Sequence, residues 1–151
     1  MAALTADRVI PRKGTSPTAT PPRITIALKA GTKVYKGGLV ATDATGYGVT
    51  GAALQATGLK VWGIATKQVD NTSGSNGALS VDVERGIFPF VNLGGDPLVQ
   101  ATMGSTVFAD DDQTVRLTSN TGTRSNAGVF VGFDENGLPL VQVGNLSQTG
   151  V

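Results

Sequence analysis

Leu79-Ser80-Val81-Asp82-Val83-Glu84 is the stretch that decides the fold class. Leu79, Val81 and Val83 fall on one side of an extended chain and Ser80, Asp82 and Glu84 on the other. That two-residue period belongs to a strand with one face in a core and one toward solvent. Gly86 interrupts the run, and Ile87-Phe88-Pro89-Phe90-Val91 follows. Proline has no N–H for a ladder, so this run reads as an edge strand or a bulge, and Phe88, Pro89 and Phe90 as candidates for a subunit or partner interface.

The same period recurs on both sides of this stretch. Ile24, Ile26 and Leu28 alternate, and short apolar runs follow at 33–35, 39–41 and 47–50, separated by Gly and Asp-rich turns. Leu59-Lys60-Val61-Trp62-Gly63-Ile64-Ala65 reads as a buried strand in which Gly63 marks a bulge or a close backbone approach. Residues 69–77 read as a long polar loop. Downstream, 106–109 pairs with 114–118, and 127–133 with 138–143. The last pair closes through Asp134-Glu135-Asn136-Gly137, where Asn-Gly is a strong hairpin signal. One short helix is expected over 97–103, with Asp96 as its cap, Pro97 in its first turn and Gly104 at its end. The expected architecture is all-β: a small β-barrel or sandwich of about ten short strands with one short helix.

Residues 1–23 break the pattern. Arg12-Lys13-Gly14-Thr15-Ser16-Pro17-Thr18-Ala19-Thr20-Pro21-Pro22 has neither period and reads as an extended, Pro-rich arm. Charge divides at the same place. Residues 1–36 carry seven basic side chains against Asp7 alone, +6, and the remainder carries five basic and ten acidic, −5. The expected organisation is therefore an arm over 1–23, a β-rich domain over 24–144 and a tail over 145–151. Val9, Ile10, Arg12, Lys13 and Arg23 are the expected arm contacts. Four basic residues without an interleaved aromatic make a weak footprint for nucleic acid, so a protein surface is the favoured partner.

Composition excludes much chemistry. The chain of 151 residues has no Cys and no His, which removes disulfides, thiolate nucleophiles, imidazole bases and the usual transition-metal ligands. Glycine, at 21 residues, is about twice its usual share, as many tight turns require. No run is long and apolar enough for a membrane-spanning helix, and the first residues do not read as a secretory signal, so synthesis in a cytoplasm is expected. Asp110-Asp111-Asp112 invites a calcium reading, but an EF-hand would need Gly where Val115 stands and an acid where Thr121 stands, so a solvated turn is expected. Asp82, Glu84, Asp134 and Glu135 could supply paired carboxylates for hydrolysis, but they fall on a solvent phase and in a turn. Gly37-Gly38 and Gly94-Gly95 lack the Lys-Ser/Thr ending of a phosphate loop. No catalytic residue, metal or cofactor is expected.

Val61-Trp62-Gly63-Ile64-Ala65, Val69-Asp70-Asn71-Thr72, Val81 through Phe88, Asp96-Pro97, Val107 through Val115, Gly128 through Gly132 and Leu140 through Gly144 occur in an order that resembles the tailed-phage capsid cement (head decoration) proteins. Ala30 through Tyr47 is similar to that family's opening, and the likeness covers about 28–144. It implies a non-enzymatic virion protein on the outer surface of a capsid, bridging capsomers and stabilising the head. The implied partners are the major capsid protein and further copies of itself, as a homotrimer, with no nucleic acid and no membrane. A glycan- or receptor-binding module of head-fibre type stays open as the alternative, and would need an aromatic platform around Trp62 or Tyr47.

Overall fold

The computed structural model describes residues 2–10 and 23–143; Arg12, Lys13 and the tail over 145–151 lie outside them. Among the described residues thirteen strands form the body: β1 (Arg23–Ala27), β2 (Thr32–Val34), β3 (Leu39–Thr42), β4 (Gly48–Val49), β5 (Lys60–Ala65), β6 (Val69–Asn71), β7 (Ser80–Glu84), β8 (Gly86–Pro89), β9 (Val91–Asn92), β10 (Thr106–Ala109), β11 (Thr114–Arg116), β12 (Asn126–Phe133) and β13 (Pro139–Val143). They build a five-stranded sheet in the order β1-β7-β5-β3-β4, a six-stranded sheet in the order β8-β13-β12-β10-β11-β9, and the pair β2-β6. Every pairing is antiparallel except β11 with β9. The all-β, sandwich-like expectation holds, and neither sheet closes into a barrel.

Two cores explain the layering. The main one lies between the sheets, with Leu39, Ala41, Val61 and Ile64 facing Phe88, Phe90, Val107, Phe130 and Val141. The second lies on the other face of the five-stranded sheet, where Ile26, Val40, Ala65, Val81 and Val83 meet Val34 of β2 and Val69 of β6. β3 is therefore buried at all four positions, which is why Leu39-Val40-Ala41 reads as a continuous apolar run and not an alternating one. The five-stranded sheet curls until its edges meet at one parallel bridge, Leu28 with Gly48, where Lys29 N–H donates to the Gly48 carbonyl at 3.0 Å.

Two bulges stand just before a glycine, one in each of the two large sheets, and the six-stranded sheet has a further slip between Phe130 and Phe133. In β5 the register to β3 slips between Gly63 and Val61, leaving Trp62 unpaired. The slip lets Val61 and Ile64 face the same core while Trp62 turns to the second one. A Cβ on Gly63 would overlap the Glu84 carbonyl oxygen of β7, so the close approach expected there is present. In β12 the register to β10 slips at Ala127, and a Cβ on Gly128 would overlap the Gln142 carbonyl oxygen of β13.

Several local expectations need correction. Val69–Asn71 is a strand, not part of a loop. It pairs with β2 with Asp70 beside Lys33 and Val69 beside Val34, and its one fully buried residue is the polar Asn71, so no apolar alternation marks it in the sequence. The helix over 97–103 reduces to one 3-10 turn at Gln100–Thr102, and a second such turn stands at Gly51–Leu54. Asp96 does not cap it, because its carboxylate takes Arg116 Nε at 2.9 Å and the Thr118 hydroxyl at 2.6 Å instead. The β12–β13 hairpin is present, but of its Asn-Gly pair only Gly137 has positive φ, at 79°. With Gly137 N–H donating to the Asp134 carbonyl, this is a type I turn followed by a left-handed glycine, and Asp134 Oδ1 accepts the N–H groups of Asn136 and Leu138.

Candidate functional site

The first part of the expected arm is tied to the body by hydrogen bonds. Residues 2–10 lie against the body as a docked strap, and the body is shaped to receive it. Arg8 N–H donates to the Lys36 carbonyl at 2.8 Å, and Lys36 N–H donates to Asp7 Oδ1 at 2.8 Å. Arg8 Nε donates to the Gly37 carbonyl at 2.9 Å, and its guanidinium stands 5.6 Å from the centre of the Phe90 ring. Leu4 N–H donates to Asp112 Oδ1 at 2.9 Å, and Gln113 Nε2 donates to the Ala2 carbonyl at 2.7 Å. Gly37 and Gly38 form the floor beneath it. A Cβ on Gly37 would stand 2.6 Å from Arg8 Cγ, and one on Gly38 would stand 3.2 Å from Leu4 Cδ1. The glycine pair is a turn that doubles as a seat, a role that no spacing within the pair itself would reveal.

Asp110-Asp111-Asp112 is not a solvated turn. All three are buried, Asp111 and Asp112 at 1% exposure, and each carboxylate serves a different contact. Asp110 Oδ1 accepts from Arg116 Nη1 at 3.0 Å and Arg124 Nε at 3.2 Å. Asp111 Oδ1 closes the β10–β11 turn by accepting the N–H groups of Gln113 and Thr114 at 2.9 and 2.8 Å. Asp112 holds the strap at Leu4, while its carbonyl accepts Leu39 N–H at 2.9 Å and so ties the turn to β3. Arg116 also pairs with Asp96, which gives a network of two arginines and two aspartates that is almost fully covered.

Charge burial leaves its mark on the strap. Burial, reinforced by the negative charge of Asp111, pushes the Asp112 carboxyl above the ordinary carboxylate range. Burial likewise lowers Arg8 to about 10, against the pull of Asp112 and Asp111 toward the charged form. Arg8 Nη2, Asp111 Oδ2 and the Thr114 hydroxyl are buried without hydrogen-bond partners. Such orphans cost free energy, so the strap seat is held by geometry that the rest of the fold must sustain. Among the described residues no group of three acidic side chains is arranged to hold a metal ion.

The other expected site residues separate. Val9 is 85% exposed, while Ile10 packs on the main core. Arg23 opens β1 and pairs with Glu84 at 3.0 Å. Ile10 and Arg23, the residues flanking 11–22, both line one cleft of about 260 Å³ together with Arg8 and Lys36. β8 is the terminal strand of its sheet, as its proline suggested. Phe88, Pro89 and Phe90 are nonetheless buried, Phe90 fully. Phe88 and Phe90 place their side chains in the intersheet core, because a strand at a sheet edge still has one face inside the sandwich, so a partner would meet this segment through the open main-chain edge of β8. Asp82 accepts the Thr25 hydroxyl at 2.7 Å, and Asp134 serves the hairpin.

A second concavity, of about 690 Å³, opens where β1 approaches the β3–β4 turn, and Trp62 lines it. The indole Nε1 donates to the Thr42 hydroxyl at 2.7 Å, which fixes the ring. Tyr47 is not among its lining residues and lies against Gly77 instead.

No family model, curated protein or solved structure matches this chain.

Proposed function

We propose that this chain is a structural virion protein that binds the outside of a tailed-phage capsid and stabilises the head by bridging capsomers, acting as a trimer. The sequence resemblance motivates the reading, and the docked strap is the observation that supports it most. The basic stretch containing Arg12 and Lys13 is joined to the body at two neighbouring points. On one side the strap is locked by Arg8 and Asp112; on the other, Arg23 is paired in β1. A partner that engages this stretch is therefore coupled to the sandwich through both flanking residues, Ile10 on the main core and Arg23 in β1, as a clamp requires. Main-chain pairing to a sheet edge and avidity across several copies then turn modest contacts into stable decoration.

The test is a co-sedimentation assay with expanded heads that lack this chain. A variant in which residues 11–22 are replaced by a Gly-Ser segment of equal length should keep the unfolding temperature of the wild type and lose most of its head occupancy. Occupancy equal to wild type would remove the arm from the account.

A further inference from the structure

The groove at Trp62 shares no lining residue with the cleft beside the strap, and its chemistry is specific enough to name a ligand class. We infer that it is a carbohydrate-binding site. A sugar ring presents one face of C–H bonds and a rim of hydroxyls, so its receptor needs an aromatic surface bordered by hydrogen-bonding groups of both signs. Trp62 supplies the aromatic surface. Its place there follows from the bulge in β5, and its orientation is fixed by the bond to Thr42. The Thr42 hydroxyl, having accepted the indole N–H, keeps its own hydrogen to donate. Asp43 borders the groove as an acceptor held in place by Lys29 at 2.5 Å and by Thr45. Those contacts, chiefly the Lys29 hydrogen bond, hold its carboxyl down at about 2, so it stays ionised. Thr25 and Lys60 complete the border with a hydroxyl and an ammonium.

Size and charge point the same way. The volume falls within the range of small-ligand sites. Around the groove Lys29 and Lys60 stand against Asp43 and Asp82, so a polyanion gains little from counterion release and a stacked nucleic acid is the poorer fit. An apolar ligand would leave Asp43 and Lys60 without use. A hexose face on Trp62, with its hydroxyls toward Thr42, Asp43 and Lys60, employs them all.

Because the chain has one tryptophan, the groove reports on itself. The full-length protein is first applied to a microbial array of neutral and acidic glycans. Cellohexaose, chitohexaose, tetragalacturonic acid and any array hit are then titrated against tryptophan emission and by calorimetry, beside a twelve-nucleotide oligo-dT. At least one glycan should give a saturable emission change, and oligo-dT none. Trp62→Ala should weaken calorimetric binding at least tenfold. Since Trp62 also touches the second core, Ala44→Arg serves as the deciding variant: Ala44 is exposed in the β3–β4 turn, and the new side chain fills the groove without disturbing packing. It too should lose binding at least tenfold. No saturable glycan response, binding of oligo-dT instead, or glycan binding that survives Ala44→Arg would each overturn the assignment.

Discussion

Arg8→Ala should loosen the strap and lower the stability of the whole domain. The side chain donates through Nε to the Gly37 carbonyl at 2.9 Å, and a hydrogen bond from a charged group is worth about 1.5–3 kcal/mol. Its guanidinium lies over Phe90 at 5.6 Å in a partly desolvated place, worth about 1 kcal/mol more. Removing it also strips the buried Asp111 and Asp112 of their nearby positive charge. Against these stand the desolvation of the guanidinium and the orphaned Nη2, which the alanine relieves. The net loss is about 3 kcal/mol, which for a domain of this size lowers Tm by about 6–12 °C. Calorimetry gives the first readout, and hydrogen exchange the second. The amides of Leu4 and Arg8, bonded to Asp112 and Lys36, should exchange faster, while that of Val83 within β7 should change only as far as global stability changes. A Tm shift below about 1 °C together with unchanged exchange at Leu4 and Arg8 would show that the strap is not held by this side chain.

Three further outcomes follow from the same contacts. Gly63→Ala should cost about 3 kcal/mol because its Cβ has no room beside the Glu84 carbonyl, whereas Gly94→Ala, with open space around it, should stay within about 0.5 kcal/mol in denaturant unfolding. Asp110→Asn removes the anion shared by Arg116 and Arg124, both nearly covered, and should lower stability by about 3 kcal/mol. Asp112 provides a pH signature: with its pKa raised by burial, its contribution to stability is fullest below its ordinary value of 3.8 and is lost as pH rises through the raised one. Asp112→Asn keeps an oxygen for Leu4 N–H and drops the charge, so it should melt higher than wild type at neutral pH. That advantage should vanish as pH falls toward 3.8, and a gap independent of pH would contradict the assignment.

The strands were legible wherever one face is buried and the other wet. Ser80–Glu84 shows this alternation, and its buried positions are Val81 and Val83. Gly63 was legible because a glycine inside an apolar strand has few other reasons to be there. What escaped reading depended on partners remote in sequence. Three consecutive aspartates look like a solvated turn until Arg116, Arg124 and Leu4 are brought to them, the last from 108 positions away. Asp96 looks like a helix cap until Arg116 and Thr118 claim it. Phe88, Pro89 and Phe90 show why an edge strand is no guide to exposed side chains: proline reports on the ladder, whereas burial is set by the sheet lying opposite. Arg8 and Gly37-Gly38 could have been suspected jointly only from a basic residue and a flat, Cβ-free seat, a signal too common to assign a contact.

Head decoration itself is tested most directly by cryo-electron microscopy of expanded tailed-phage heads mixed with this chain. The account predicts added density on the outer surface at three-fold or quasi-three-fold positions, into which three copies of the two-sheet body fit with the stretch between Ile10 and Arg23 reaching the capsid shell. Heads that stay bare at saturating protein, or density into which the sandwich does not fit, would contradict it.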